Sequence, residues 1–313
     1  MPIGQLATLL APVFATVLAG WAAARFTGLP PRASSLLQRL TFDAIVPLLL
    51  FHTLATAAPS GPFDAALLLA YYLPTLALYA AVLAGACHCG HTLREANVLA
   101  LASTYGNAVL LGVPLVLRTF GDAAAVPLFA IVGLHSVLMF FLTTLVHELA
   151  GDALQLRDLL RNTASRLLRN PILVGICAGA LVQPLGIVLP APVLALGEGV
   201  AVIAPWAALV AMGLGLASHD LRGAATGAAL VVLCKQVLHP LLVLAGAALL
   251  LGVSAPATAV LVTIAALPTG INVYLFAVRF GAAENTSASA IVAGTALSCL
   301  GIAAVLALLG VPG

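Results

Sequence analysis

The chain has 313 residues, of which 63% are hydrophobic and 7% charged, with a formal net charge of +2 at pH 7. A soluble domain cannot cover so apolar a chain with polar surface, so soluble enzymes and nucleic-acid-binding modules are excluded and the lipid bilayer is the expected solvent. The fold class read from composition is all-α integral membrane.

A transmembrane helix needs about 20 mostly apolar residues. Sectioning the chain at its charged and Gly/Pro-rich breaks predicts ten spans, over 4–26, 34–57, 63–87, 95–117, 123–148, 171–190, 193–217, 223–251, 256–280 and 285–310. No basic residue precedes Arg25, so the first span lacks the charged start of a cleaved signal peptide and is expected to stay. The second carries Asp43, Pro47 and His52; the third carries a single acid, Asp64, at its outer entrance. Cys87, His88, Cys89 and His91 follow as CHCGH, which lacks the spacing of a zinc site; no metal is expected, and a short reduced turn explains the motif. The other cysteines stand singly in spans, so no disulfide framework is implied.

The fourth span interrupts itself at STYGNAVLLGVPL (103–115), with Gly106, Asn107 and Pro114. The ninth does the same at ALPTGINVYLF, with Pro268, Thr269, Gly270 and Asn272. Proline removes a backbone donor and glycine lowers the cost of irregular dihedrals, so both helices are expected to be broken near the middle. Backbone freed at membrane depth survives only where protein or a watery cavity satisfies it. Paired broken helices would offer half-helix N-termini to anions and carbonyl ends to cations.

Basic residues orient the chain. Arg25, Arg32 and Arg39 flank the first loop, Arg94 lies in the third, Arg157, Arg161, Arg166 and Arg169 in the fifth, Arg222 in the seventh and Arg279 at the ninth, while the even loops offer only Arg118. Odd loops therefore face the cytoplasm and both termini face outward. The longest loop, 151–170, reads as a solvated linker or a short amphipathic helix. It separates 1–150 from 171–313, two groups of five spans in opposite orientation, which is the arithmetic of an inverted repeat with broken crossover helices 4 and 9.

STYGNAVLLGVPLVLRTFGD followed by ALPTGINVYLFAVRFG resembles the paired signatures of the auxin efflux carrier family, which includes plant PIN carriers and bacterial members. VPLLLFHTLA, IVGLHSVLMFFLTTLVHE and RNPILVGICAG resemble further family segments, in family order, so the likeness runs over essentially the whole chain. The resemblance implies a scaffold of helices 1, 2, 6 and 7 and a transport domain of helices 3–5 and 8–10. It also implies elevator-type alternating access, a homodimer and, for a bacterial member, the inner membrane.

The same resemblance singles out Asn107, which matches an asparagine that helps to bind a substrate carboxylate, and His135, which stands where plant relatives have a substrate-contacting glutamine. An amide donates to a carboxylate without a charge of its own, and a histidine does so with or without one. Asn272, Gly106, Thr269 and Gly270 are the matching substrate-site candidates at the crossover, with Pro114 and Pro268 as its prolines; Thr104 and Tyr105 are secondary, because hydroxyls often satisfy their own helix. His52 is read as structural, and Pro47 and Pro205 as bends.

Spacing alone isolates Lys235, about 18 Å along its helix from Gly223 and so near mid-membrane. Asp43, about 13 Å from the same side, shares that depth. An intramembrane charge is costly and pairs or faces the interior. Lys235 is therefore a substrate counter-ion or coupling residue, or is linked structurally to Asp43 or to backbone carbonyls; Asp43 is an alternative carrier of a coupling proton. The plant carriers place an acid in helix 3 where this chain has none.

These features make the expected function a secondary carrier of small organic anions such as malate and malonate, without a bound cofactor and coupled to protons, to sodium or to neither. An auxin-like aromatic acid carrier and a cation/proton antiporter are the alternatives, although the crossover lacks the carboxylates that an antiporter uses. VHELAGD, around His147 and Glu148, has no second histidine at the spacing of a zinc protease, and no GxxxxGK[ST] loop is present to hold ATP.

Overall fold

The computed structural model describes residues 3–56, 65–121, 124–151, 165, 169, 171–217 and 224–309. Among these residues every regular element is a helix. In chain order they are α1 (Ile3–Phe26), α2 (Pro31–Leu40), α3 (Val46–Thr56), α4 (Ala65–His88), α5 (Leu93–Thr104), α6 (Val113–Phe120), α7 (Ala125–Leu149), α8 (Pro171–Val182), α9 (Ala191–Leu216), α10 (Ala225–Leu233), α11 (His239–Leu244), α12 (Ala255–Ala266), α13 (Asn272–Phe280) and α14 (Glu284–Leu308). Five described helices are long and apolar enough to cross a membrane: Arg32–Thr56, Ala65–His88, Pro127–Leu149, Ala191–Gly215 and Ala225–Leu250. Glu284–Ser298 and Leu300–Leu308, bent by 49°, make a sixth if taken as one span.

Four widened π turns join or extend these helices, at Thr41–Ile45, Ala108–Gly112, Cys234–Leu238 and Ala245–Leu250. Each of the first three ends two residues before a proline: Pro47, Pro114 and Pro240. A proline ring clashes with the carbonyl four residues back, and widening the preceding turn relieves that clash without ending the helix. Pro47 and Pro240 thus sit in continuous helical stretches. Pro114 stands in the first turn of α6, where its missing N–H is tolerated.

Besides the bent last helix, three expected spans depart from simple helices. The fourth and ninth are each two short helices, α5 with α6 and α12 with α13. The sixth is helical only over Pro171–Val182; the chain then turns, with Gly186 at φ 64°, and runs extended to Pro190. The expected linker at 151–170 lies largely outside the described residues, as do Asp64 and Arg222.

Between helices in lipid there is no hydrophobic drive, so close contact depends on small residues and on polar bonds. Gly175 and Gly179, one turn apart on α8, rest on the backbone of Pro47 and Phe51 in α3. Gly20 of α1 and Gly213 of α9 do the same for their pair, meeting Val210 on one side and Val17 and Trp21 on the other. Elsewhere polar bonds join helices. Tyr79 of α4 donates to Asn97 Oδ1 of α5, whose Nδ2 donates to the Thr143 carbonyl of α7 at 2.9 Å, and Tyr72 donates to the Ile131 carbonyl at 2.8 Å.

Buried apolar side chains form two groups, one around Leu101, Tyr105, Phe140 and Phe276 and the other around Tyr71, Leu111, Leu128 and Leu261. The interruptions of α5/α6 and α12/α13 fall where one group gives way to the other.

Candidate functional site

α12 stops at Leu267 (φ −58°, ψ 146°) because a residue before proline is pushed out of the helical region. α5 stops at Tyr105 (φ −86°, ψ 112°), followed by Gly106. The two interruptions then satisfy each other. Gly106 and Thr269 form an isolated antiparallel bridge. Asn107 N–H donates to the Pro268 carbonyl at 2.9 Å, and Gly270 N–H to the Tyr105 carbonyl at 3.0 Å. Thr269 Oγ1 donates to the Ala102 carbonyl at 2.8 Å, meeting an acceptor that the end of α5 leaves free. Every one of these bonds crosses between segments more than 160 residues apart, so neither break is a simple proline kink.

Beside this pairing lies a cleft walled by Val46, Leu49 and Leu50 of α3 and, opposite, by Tyr105 to Val109, Ser136 and Gly270 to Asn272. Its free space is about 30 Å³, room for water but not for an organic anion until the walls part. Asn107 and Asn272 both line it. Asn272 Nδ2 donates to Tyr105 Oη at 3.2 Å, Tyr105 Oη and Ser136 Oγ lie 2.8 Å apart, and the buried Asn272 Oδ1 has no hydrogen-bond partner among the described residues. Gly270 and Gly106 line the cleft too, but the Gly270 N–H is committed to Tyr105 and faces no ligand.

His135 is buried behind this wall, its ring stacked on Tyr105 with centroids 4.8 Å apart. Gly106 N–H donates to its Nε2 at 3.4 Å, so the neutral ring carries its proton on Nδ1, which has no partner among the described residues. It supports the cleft from behind, where the sequence reading expected a ligand contact. Thr104 bonds the Ala100 carbonyl of its own helix at 2.7 Å, as expected for a hydroxyl there, whereas Tyr105 turns out of the helix to become a wall of the cleft.

Lys235 is fully buried, and of the two structural links open to it from the sequence the one to a backbone carbonyl forms while the one to Asp43 does not. Asp43 is exposed on the turn Thr41–Ile45, while Lys235 donates to the Ala265 carbonyl and lies 3.2 Å from His239 Nδ1. Equal depth along two helices says nothing of the direction each side chain faces, so depth could not choose between Asp43 and a backbone carbonyl as the partner. His239, four residues on, was missed although that spacing marks a neighbour on the same helix. The lysine does reach the break from behind: a Cβ built on Gly106 would lie 3.4 Å from its Nζ.

The CHCGH motif forms the end of α4 and a turn. Gly90 takes φ 91°, and Thr92 caps α5 by accepting from Glu95 N–H at 3.2 Å while Glu95 accepts from Thr92 N–H at 2.9 Å. Among the described residues no three metal-ligating side chains gather.

A family model described as membrane transport protein matches residues 6–156 and 155–306. The chain belongs to this family, that of the auxin-efflux-carrier-like transporters. Within it, a protein of Rhizobium meliloti (strain 1021) described as "Putative malonate transporter" is 26% identical over 298 residues, covering 95% of this chain and 93% of its own. Family and relative are transporters, not enzymes, which removes the intramembrane-protease reading. A multi-pass membrane protein follows from the family and the apolar helices together.

Proposed function

We propose that the protein is a secondary transporter of small organic anions, malate- and malonate-like carboxylates, that binds them at the paired interruptions. The observation that carries this reading is the cleft itself, where two amides, Asn107 and Asn272, and two hydroxyls, Tyr105 and Ser136, gather beside a break whose own backbone is satisfied. Amide and hydroxyl donors hold a carboxylate without placing a fixed countercharge in its path. The description of the Rhizobium meliloti relative points to the same substrate class.

In this reading the chain makes ten spans as two inverted five-helix repeats, 1–150 and 171–313, with crossover helices 4 and 9. α1, α3, α8 and α9 belong to the scaffold, and the remaining spans move past it. The glycine-mediated contacts of α1 with α9 and of α3 with α8 support that grouping, and so does a cleft with one wall on α3 and the other on the breaks. A closed cleft that must part its walls suits an elevator. A homodimer joined through the scaffolds, an inner-membrane location, outward termini and coupling to protons or sodium complete the proposal.

Val46, Leu49, Leu50 and Ile271 give the cleft an apolar side, which favours an aromatic monocarboxylate as the second reading. Competition separates the two. Labelled malonate uptake into proteoliposomes should be inhibited by excess malate and not by excess indole-3-acetate or by sodium and potassium salts of inert anions. Inhibition by the indole acid alone would transfer the site to aromatic acids, and failure of malonate to enter would remove the dicarboxylate reading.

A further inference from the structure

Behind the cleft, Lys235, His239 and Thr75 form a hydrogen-bonded chain with a fixed direction. Thr75 Oγ1 donates to the Tyr71 carbonyl at 2.6 Å, so its lone pairs accept, and His239 Nε2, 2.8 Å away, is the donor to it. In a neutral imidazole the other nitrogen is then bare, and Lys235 Nζ, 3.2 Å away, donates to that Nδ1. If the proton crosses to Nδ1, the ring becomes an imidazolium with both N–H groups matched and the lysine becomes a neutral amine. The pair holds one positive charge in either arrangement, and two charges at this separation in so buried a place repel too strongly to coexist.

The groups that bear on His239 are Lys235 on its own stretch, His135 on α7 and the Ala265 carbonyl on α12, with Tyr71 of α4 in ring contact at 5.6 Å. None of them is a carboxylate. His135 already accepts from Gly106 on its Nε2 and carries no charge in that bond. The charge on the pair therefore lacks a counter-ion among the described residues that surround it, while the ammonium stands directly behind Gly106, which lines the cleft: a Cβ built on that glycine would lie 3.4 Å from Nζ.

We propose that Lys235 and His239 share one proton that the carrier takes up together with its anion, so that this pair, and no carboxylate, is the coupling group. The inference rests on the reading of the cleft as the anion site. An anion in the cleft stabilises the charged pair, and by linkage the charged pair tightens the anion by the same factor. The proton comes from water on the side to which the cleft opens, forms the N–H bond on Nζ, and returns to water when the anion leaves on the other side; no electrons change hands. His239 is a positioning residue that acts through Lys235 by accepting from its ammonium.

The test is malonate binding to the full-length protein in detergent across a pH series, with proton uptake followed by an indicator in weak buffer. The intact protein should take up close to one proton per malonate and lose affinity as pH rises. Lys235→Met should bind with no proton uptake and no pH dependence. His239→Leu removes the acceptor, so the ammonium forms only at lower pH: affinity should fall about tenfold at neutral pH, a displacement of about one pH unit, and recover on acidification. His239→Asn, which can accept from Nζ and donate to Thr75, should bring the profile back toward the intact one. Malonate binding by the intact protein without proton uptake, or a His239→Leu loss equal at every pH, would overturn the inference while leaving the anion site standing. No malonate binding by the intact protein at any pH would overturn the site reading, and the inference with it.

Discussion

Gly270→Ala tests how tightly the two interruptions are locked. A Cβ there would lie 2.7 and 2.8 Å from Cε1 and Cδ1 of Tyr105 and 3.0 Å from the Gly106 carbonyl oxygen. Those ring atoms have little freedom to withdraw, because the ring is stacked on His135, tilted against Phe140 with centroids 5.0 Å apart, and tied through its hydroxyl to Ser136 and Asn272. Overpacking of this kind costs about 1 to 3 kcal/mol, and the stiffer unfolded chain returns about 0.4 to 1 kcal/mol. The net loss then lies between about 0 and 2.6 kcal/mol, centred on about 1.3 kcal/mol, and the displaced Tyr105 takes a wall of the cleft with it. The assay is thermal unfolding of the purified protein in detergent beside malonate uptake in proteoliposomes, with Gly199→Ala as control, since a Cβ on that helical glycine meets nothing within 4 Å. Gly270→Ala should melt lower and transport at least tenfold more slowly, while Gly199→Ala should melt at the same temperature or higher. A Gly270→Ala protein that melts and transports like the parent would refute the close pairing of the breaks.

Other substitutions separate architecture from function. Tyr105→Phe removes the hydroxyl between Asn272 and Ser136, leaves both without it and should cost about 1 to 3 kcal/mol, with weaker malonate binding measured by titration. Gly213→Ala drives a methyl into the backbone of α1 at Val17 and Trp21, and should reduce the folded yield on size exclusion more than any change at the cleft. Thr92→Ala removes the α5 cap and should lower stability by about 1 kcal/mol; its cap is about 20 Å along the helix from Tyr105, so malonate uptake per folded molecule should be unchanged.

The interruptions were legible because Pro268 and Gly106 act on their own backbone, and local chemistry is what a sequence displays directly. Their mutual satisfaction was not, since the bond from Asn107 to Pro268 joins residues with no sequence relation. Lys235 shows the same boundary. Its burial followed from depth alone, but its partners depend on the direction of a side chain within a widened turn, and that turn in the sequence is marked only by Pro240. Tyr105 reads in the sequence as a helix hydroxyl, whereas the break turns it into the cleft. Asn107 and Asn272 both line the cleft, although 165 residues separate them.

Anion binding at the paired interruptions depends most directly on Asn107. Uptake of labelled malonate should be measured in proteoliposomes holding equal amounts of folded intact protein and Asn107→Ala. The intact protein should show saturable uptake and the variant a loss of at least tenfold, recovered at high malonate if only binding is weakened. Equal uptake by the two proteins at low malonate would contradict anion binding there, because the amide would then play no part at the place where the two broken helices meet.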